Sequence, residues 1–416
     1  MSSEAAARYR RMTQQEVDAI CLRHDRLWSA KPGGARATFA WADLSGLSLR
    51  GRNLCDADLT GAILADCDLS EARLDHANLF GADLQNAKLM HASLRRADLR
   101  GCCLRGADLC GADLFEADLR EGVIAAADAS LGIKVIETRM RSSEAQGASL
   151  AGANLERSKL SGVIALRADF SDAMMKDCKL VRANLKQANL SGADLAGADL
   201  SSADLSGADL RDAVLVGAKT TMWRADGADL TGALTDKPVG QPVETLPYDD
   251  MIREHSLWCE TGGREGKPSS FDKADLRSMK SVRGLNLTAL SAKGAVFYGL
   301  DMEGAQLQGA HLEDADLRSC NLRRADLRGA RLARARLSGS DLREAQLGPL
   351  RIDETRLLPA DLSMATLKGA DLSGADLNRA VMTGADLSRA NFLGANLKQV
   401  DLVGATRIGA KGLNAI

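Results

Sequence analysis

From Leu44 to Leu119 every fifth residue is leucine, sixteen in succession, and Ile124 extends the series. A repeat of five matches neither the 3.6-residue turn of an α-helix nor the two-residue alternation of a flat strand. It matches a chain that turns a corner once per repeat. Two positions before each leucine the side chain is small, as at Ala57, Ala62, Cys67, Ala72, Ala77 and Ala82. The residue just before the leucine is mostly Asp or Asn, so the unit reads A-(D/N)-L-x-x. If the leucine and the small residue point inward, the other three point outward. Four units then close a square coil of twenty residues. Such coils stack at the usual strand spacing of about 4.8 Å, with backbone hydrogen bonds between them.

Composition agrees. Aromatic residues make up only 3% of 416 residues, and the apolar content is nearly all Leu and Ala. That suits many small, similar compartments better than one large core. The stretch from Ala193-Asp194-Leu195 through Ala208-Asp209-Leu210 resembles the consensus of the pentapeptide-repeat family residue by residue. The resemblance spans roughly four-fifths of the chain. It implies an all-β fold, a right-handed quadrilateral β-helix, and it says little about function.

The register shifts along the chain. After Ile124 the pattern blurs, and it resumes at Leu150, Leu155 and Leu160, one residue out of phase. One inserted residue can be absorbed as a bulge at a corner, so the reading is one continuous solenoid with a local distortion. The repeat stops between Leu234 and Ser270, where Pro238, Pro242, Pro247 and Pro268 cluster. Within that gap Tyr248, Met251, His255 and Trp258 share one helical face. Val17, Ile20, His24 and Leu27 show the same offsets near the N-terminus.

Each helix is followed by glycines (Gly33-Gly34; Gly262-Gly263), a Phe (Phe39; Phe271) and Ala-Asp-Leu (Ala42-Asp43-Leu44; Ala274-Asp275-Leu276). This reads as a duplicated module of helix, link and solenoid. Open solenoid ends invite edge-to-edge association, so the two short helices are read as caps. The division is an N-terminal helical cap at 1–40 and a first solenoid at 41–234, distorted near 125–147. A proline-rich linker and second cap follow at 235–273, then a second solenoid at 274–408 and a tail at 409–416.

The net charge of -2 speaks against gross attraction to nucleic acid or membrane. No run is long and apolar enough to span a bilayer, and the polar N-terminus does not read as a secretory signal. Nine cysteines without a CxxC pair fit a reducing compartment, most simply the cytoplasm. Cys67, Cys102, Cys178 and Cys320 take the small inward slot, where a thiol behaves as a small hydrophobe. No catalytic, cofactor-binding or metal-binding constellation stands out, so the chain is read as a non-enzyme. His24 and His255, with Leu27 and Trp258, are read as cap packing, each ring donating one hydrogen bond.

Residues twenty apart lie over one another in a square coil. This stacks Phe80 with Arg100 and Phe115 with Arg95. Outward aromatic–arginine pairs serve either as interface anchors or as cation–π pairs on a solvated face; Tyr298 and Trp223 are secondary candidates.

The arginine-rich run from Arg318 to Arg343 stacks as columns: Asp314, Arg334 and Glu354; Asp316 and Arg336; Glu303 and Arg323; Arg324 and Glu344. Arg331 over Arg351 and Arg336 over Arg356 would leave uncompensated charge. Two acidic columns also arise: Asp58, Asn78, Asp98, Asp118, and Asp169, Asn189, Asp209, Asp229.

The function expected is a protein-binding scaffold or adaptor with a protein partner of unstated identity. The family resemblance implies an alternative, a DNA-mimicking regulator of DNA gyrase or another DNA-binding protein. Mimicry needs a broadly acidic surface; residues 41–124 carry 14 acidic against 9 basic side chains, but residues 274–416 carry 16 against 20, so the whole is not acidic enough to favour it. The resemblance also implies a homodimer through the C-terminal coil near Leu402 to Ile408, since some relatives associate end to end.

Overall fold

The computed structural model describes residues 9–124, 139–279 and 281–413. The chain forms two compact units, Met1–Asp236 and Lys237–Ile416. Each is a right-handed four-sided β-helix whose sides pair in parallel with those of the next coil.

Asp83 to Ala87 shows why five residues make one side. Asp83 N–H donates to Ala62 of the coil below (2.9 Å), and Leu84 N–H to Cys103 of the coil above (2.7 Å). Asn86 N–H reaches Arg105 of the coil above (2.9 Å), and Ala87 N–H closes the corner on Leu84 (3.0 Å). Only Gln85 N–H has no backbone acceptor, and the Asp83 carboxylate takes it at 3.1 Å. A backbone donor left without a partner is costly, so an Asp or Asn before a leucine completes the backbone's hydrogen bonding on its side. The same contact recurs at Ser45, Ser70, Ser171 and Ser373. Two residues after the leucine the backbone is left-handed: Asn86 has φ 54° and Gly61 has φ 61°. This is the type II turn pattern, for which Gly and Asn are suited.

The inward leucines and alanines are fully buried through most of both units and open only at the last coils, where Leu230 is 39% exposed and Leu397 is partly buried. Burying one leucine side chain contributes about 1.5–3 kcal/mol. The four inward cysteines are buried too, and burial pushes the Cys67 thiol up to about 11.

The distortion after Ile124 is larger than one residue. Cys103 pairs with Glu144 and Asp118 with Lys159, forty-one residues apart where twenty is the rule. Twenty-one residues are therefore inserted, which leaves the same phase shift as one. Part of the expected distortion, 125–138, lies outside the described residues. Its flanks, β3 (Gly122–Ile124) and β4 (Arg139–Arg141), pair antiparallel. The coil is regular again from Glu144, within the span read as distorted.

The second unit holds an insertion the repeat did not reveal. Arg331 pairs with Asp361 and Arg336 with Thr366, thirty residues apart. The ten extra residues form a hairpin of β7 (Leu350–Arg351) and β8 (Leu357–Leu358). Leu350 packs over the bare corner at Gly329, where a Cβ would lie 2.7 Å from it. The columns proposed across this point are therefore wrong. Glu354 does not stack on Arg334, nor Arg351 on Arg331, nor Arg356 on Arg336.

Both units open with a strand that the sequence reading missed. β1 (Arg10–Arg11) pairs in parallel with β2 (Ala42–Asp43), and β5 (Gln241–Pro242) pairs likewise with β6 (Ala274–Asp275). Helix α1 (Gln14–Trp28) follows β1, and α2 (Tyr248–Glu260) follows β5. Thr13 and Glu16 form a capping box at the start of α1. Val17 and Cys21 join the end of the leucine core. The Gln14 amide bonds both the N–H and the C=O of Ser48, at 2.9 and 2.8 Å, in place of a neighbouring strand.

If the Asp83 carboxylate serves the backbone as described, Asp83→Ala should lower stability by about 1 kcal/mol and Asp83→Asn by much less. Urea unfolding of the two variants, measured side by side, checks this.

Candidate functional site

Take the coil whose inward leucines are Leu84, Leu89, Leu94 and Leu99 as defining sides one to four. Phe80 and Arg100 stand on side four, and Arg95 and Phe115 on side three. The two predicted stacks form: the Arg100 guanidinium lies 5.3 Å from the Phe80 ring centre and Arg95 lies 4.6 Å from that of Phe115. The sequence missed a third member. Arg157 lies 5.6 Å from the Phe115 ring centre. It reaches this place only because forty-one residues separate Glu116 from Arg157, an offset that no twenty-residue rule could find.

The rings are less outward than expected. Phe80 and Phe115 are half-buried. A Cβ at Gly122 would sit 3.0 Å from the Phe80 ring, so the start of β3 leans on Phe80.

Between these stacks runs an open groove of about 570 Å³ lined by Arg96, Asp98, Arg100, Glu116, Asp118 and Lys159, with Arg157 at its edge. Asp98 and Asp118 are each gripped by the arginine two residues on, at 2.6 and 2.7 Å. Glu116 lies between Arg96 (2.7 Å) and Arg157 (2.8 Å). The Arg96 hydrogen bond holds its carboxyl below the ordinary range. Burial works to raise Asp118, but hydrogen bonds from Arg120 outweigh it and the net shift is downward. On side three, burial pushes Glu156 up.

The D-L-R pairing seen at Asp98 recurs at Asp209, Asp316, Asp326 and Asp341. An arginine in that position turns back on its own side and is neutralised there. In the arginine-rich run Arg334 bonds Asp314 at 2.7 Å and Arg324 bonds Glu344 at 2.7 Å, as the surviving columns require. The first acidic column, Asp58 to Asp118, is continued by Lys159 and Lys179.

The caps are built alike, with two corrections. His24 and His255 are fully buried, but each ring accepts through Nδ1 rather than donating. Ala37 N–H is the donor to His24 at 3.1 Å, and Ser269 N–H to His255 at 3.0 Å. Neither Nε2 has a partner in hydrogen-bonding geometry. Leu27 does not pack on the coil: it is 47% exposed. The returning link crosses the backbone there, and a Cβ on Gly34 would come 2.4 Å from Leu27 N. Gly266 makes the equivalent crossing in the second cap, where a Cβ would come 2.2 Å from the Glu254 carbonyl oxygen. The ring beside His24 is Trp28 (6.4 Å), whereas half-buried Trp258 meets His255 at 5.8 Å.

Among the described residues no group of His, Cys, Asp and Glu could hold a metal ion. No helix there is long and apolar enough to cross a membrane.

Comparison with protein families matches the profile described as "Pentapeptide repeats" over residues 37–75, 64–96, 92–122, 139–177, 178–217, 310–348 and 360–404. These segments cover more than half of the chain. Comparison with curated proteins gives no match. Among solved structures, one similar chain is HetL of the cyanobacterium Nostoc sp. strain PCC 7120, involved in heterocyst differentiation regulation. It is 26% identical over 92% of this chain and 94% of its own, with a TM-score of 0.19. Rfr23 of the cyanobacterium Cyanothece 51142 is 27% identical over 33% and 91%, with a TM-score of 0.25. QnrB1, a plasmid-mediated fluoroquinolone resistance protein, is 18% identical over 56% and 93%, with a TM-score of 0.23.

Burial lowers the pKa of His24, and the Cys55 backbone offsets part of that; burial lowers His255 likewise, against the Thr288 backbone. Asp25, Asp56 and Arg36 are the charged groups acting on His24. The unfolded chain takes up protons near the ordinary histidine pKa of about 6.5, before the folded caps do. Stability is therefore full above that pH and falls as the pH drops below it. The melting temperature should decline between about pH 6.5 and 5, and a His24→Gln, His255→Gln double variant should flatten that slope.

Proposed function

We propose, from the premise that this chain belongs to the pentapeptide-repeat family, that it is a non-enzymatic scaffold that binds a protein partner through the face around Phe80 and Phe115. The observation carrying this reading is the Arg95–Phe115–Arg157 stack beside an open groove, on a body otherwise packed solid with leucine and alanine. Arginine and aromatic side chains are the usual anchors of protein interfaces. A rigid β-helix holds them in place before a partner arrives, so little ordering entropy is lost on binding. A reducing compartment such as the cytoplasm suits nine cysteines of which none forms a disulfide.

No observation favours DNA mimicry. Lysines continue the first acidic column, and paired arginines neutralise Asp98, Asp118 and Asp209.

Two measurements test the reading. Cross-linking and mass spectrometry should recover a protein partner with the native chain and lose it with a Phe80→Ala, Phe115→Ala variant; undiminished recovery would remove this face. The purified protein should leave gyrase supercoiling unchanged at micromolar concentration, and inhibition would instead revive mimicry.

A further inference from the structure

The groove on side four, with Arg120 and Lys179 beside it, holds more positive charge than the acids there neutralise. Arg100 and Arg120 are taken up by Asp98 and Asp118. Arg96 and Arg157 share the single carboxylate of Glu116. Lys159 stands 4.0 Å from Asp118, whose oxygens Arg120 already holds. Lys179 lies directly above Lys159 in the ladder and makes no ion pair within 4.0 Å among the described residues.

Asp199 stands directly above Lys179 in the ladder, where the two charges attract. Six cations thus face four carboxylates: Arg96, Arg100, Arg120, Arg157, Lys159 and Lys179 against Asp98, Glu116, Asp118 and Asp199. The neighbouring acids redress this only in part. Asp177, next above Arg157, leans away over Gly197. Glu121 lies 3.8 Å from Arg182, and Asp113 pairs with Arg95 on side three. Glu156 also stands on side three, where burial disfavours its charged form.

We propose that this groove docks a short acidic segment of the protein partner, with its carboxylates on Lys159, Lys179 and Arg157 and an apolar side chain against Phe115. This rests on the scaffold reading above and adds the chemistry of the partner. An excess of like charge in a groove steers an oppositely charged segment and selects against others. The whole chain is slightly acidic, with a net charge of -2. A long polyanion such as a nucleic acid would also meet the acidic side chains of the first unit, where residues 41–124 carry 14 acidic against 9 basic residues, whereas a short peptide would meet only the patch.

The test uses the full chain and a fluorescein-labelled poly-Glu peptide carrying one Trp, with the poly-Gln peptide as its counterpart, read by anisotropy. The Glu peptide should bind, more weakly as salt rises, and the Gln peptide should not. Lys159→Glu with Lys179→Glu should weaken binding about tenfold or more, while Lys398→Glu in the second unit should leave it unchanged. Equal binding of the two peptides, no binding of either, or no effect of the double reversal would overturn the proposal. So would a DNA duplex that binds as tightly as the Glu peptide. A native partner retained by the lysine variant but lost by Phe115→Ala would sink the acidic-segment proposal and leave the scaffold intact.

Discussion

Everything in this molecule depends on the backbone hydrogen bonds between coils. A side of five residues has five N–H groups. Three reach the coils above and below, one closes the corner, and one is left over for a side chain. That arithmetic explains the sequence more fully than core packing does. Leucine and alanine fill the inside, but Asp or Asn at the preceding position is there for the leftover donor. The carboxylate pattern that looks like a surface property is a property of the backbone.

The same requirement governs the breaks. An insertion is tolerated only where the ladder can be rejoined, and both insertions leave and return through antiparallel strand pairs, with the next coil in register. Twenty-one extra residues in one unit and ten in the other leave the parallel pairing on either side intact. The first insertion also has a chemical effect: it brings Arg157 and Lys159 onto the coil carrying Phe115, Glu116 and Asp118. A charged groove results from coils that are otherwise routine.

At each start of the ladder, edge groups need partners that no coil below supplies. The first unit meets this need with β1, the Gln14 amide and the buried face of α1. The second repeats the strand and helix through β5 and α2. A buried neutral histidine in each cap accepts the N–H of the returning link, so two helices of different sequence share one fixed hydrogen bond.

The sequence by itself determined the coil, because a period of five leaves the backbone one compact way to satisfy its donors. It also exposed the duplicated caps and the Phe80–Arg100 and Phe115–Arg95 stacks, since twenty-residue spacing is geometry written in numbers. Only the tertiary structure decided the lengths of the insertions, because twenty-one residues and one leave the same phase modulo five, and ten leave none. It alone placed Arg157 at Phe115, separated Glu354 from Arg334, turned Leu27 outward under the link at Gly34, and made the cap histidines acceptors. Each of these depends on which coil follows which, or on how the chain crosses itself. A local repeat carries neither kind of information.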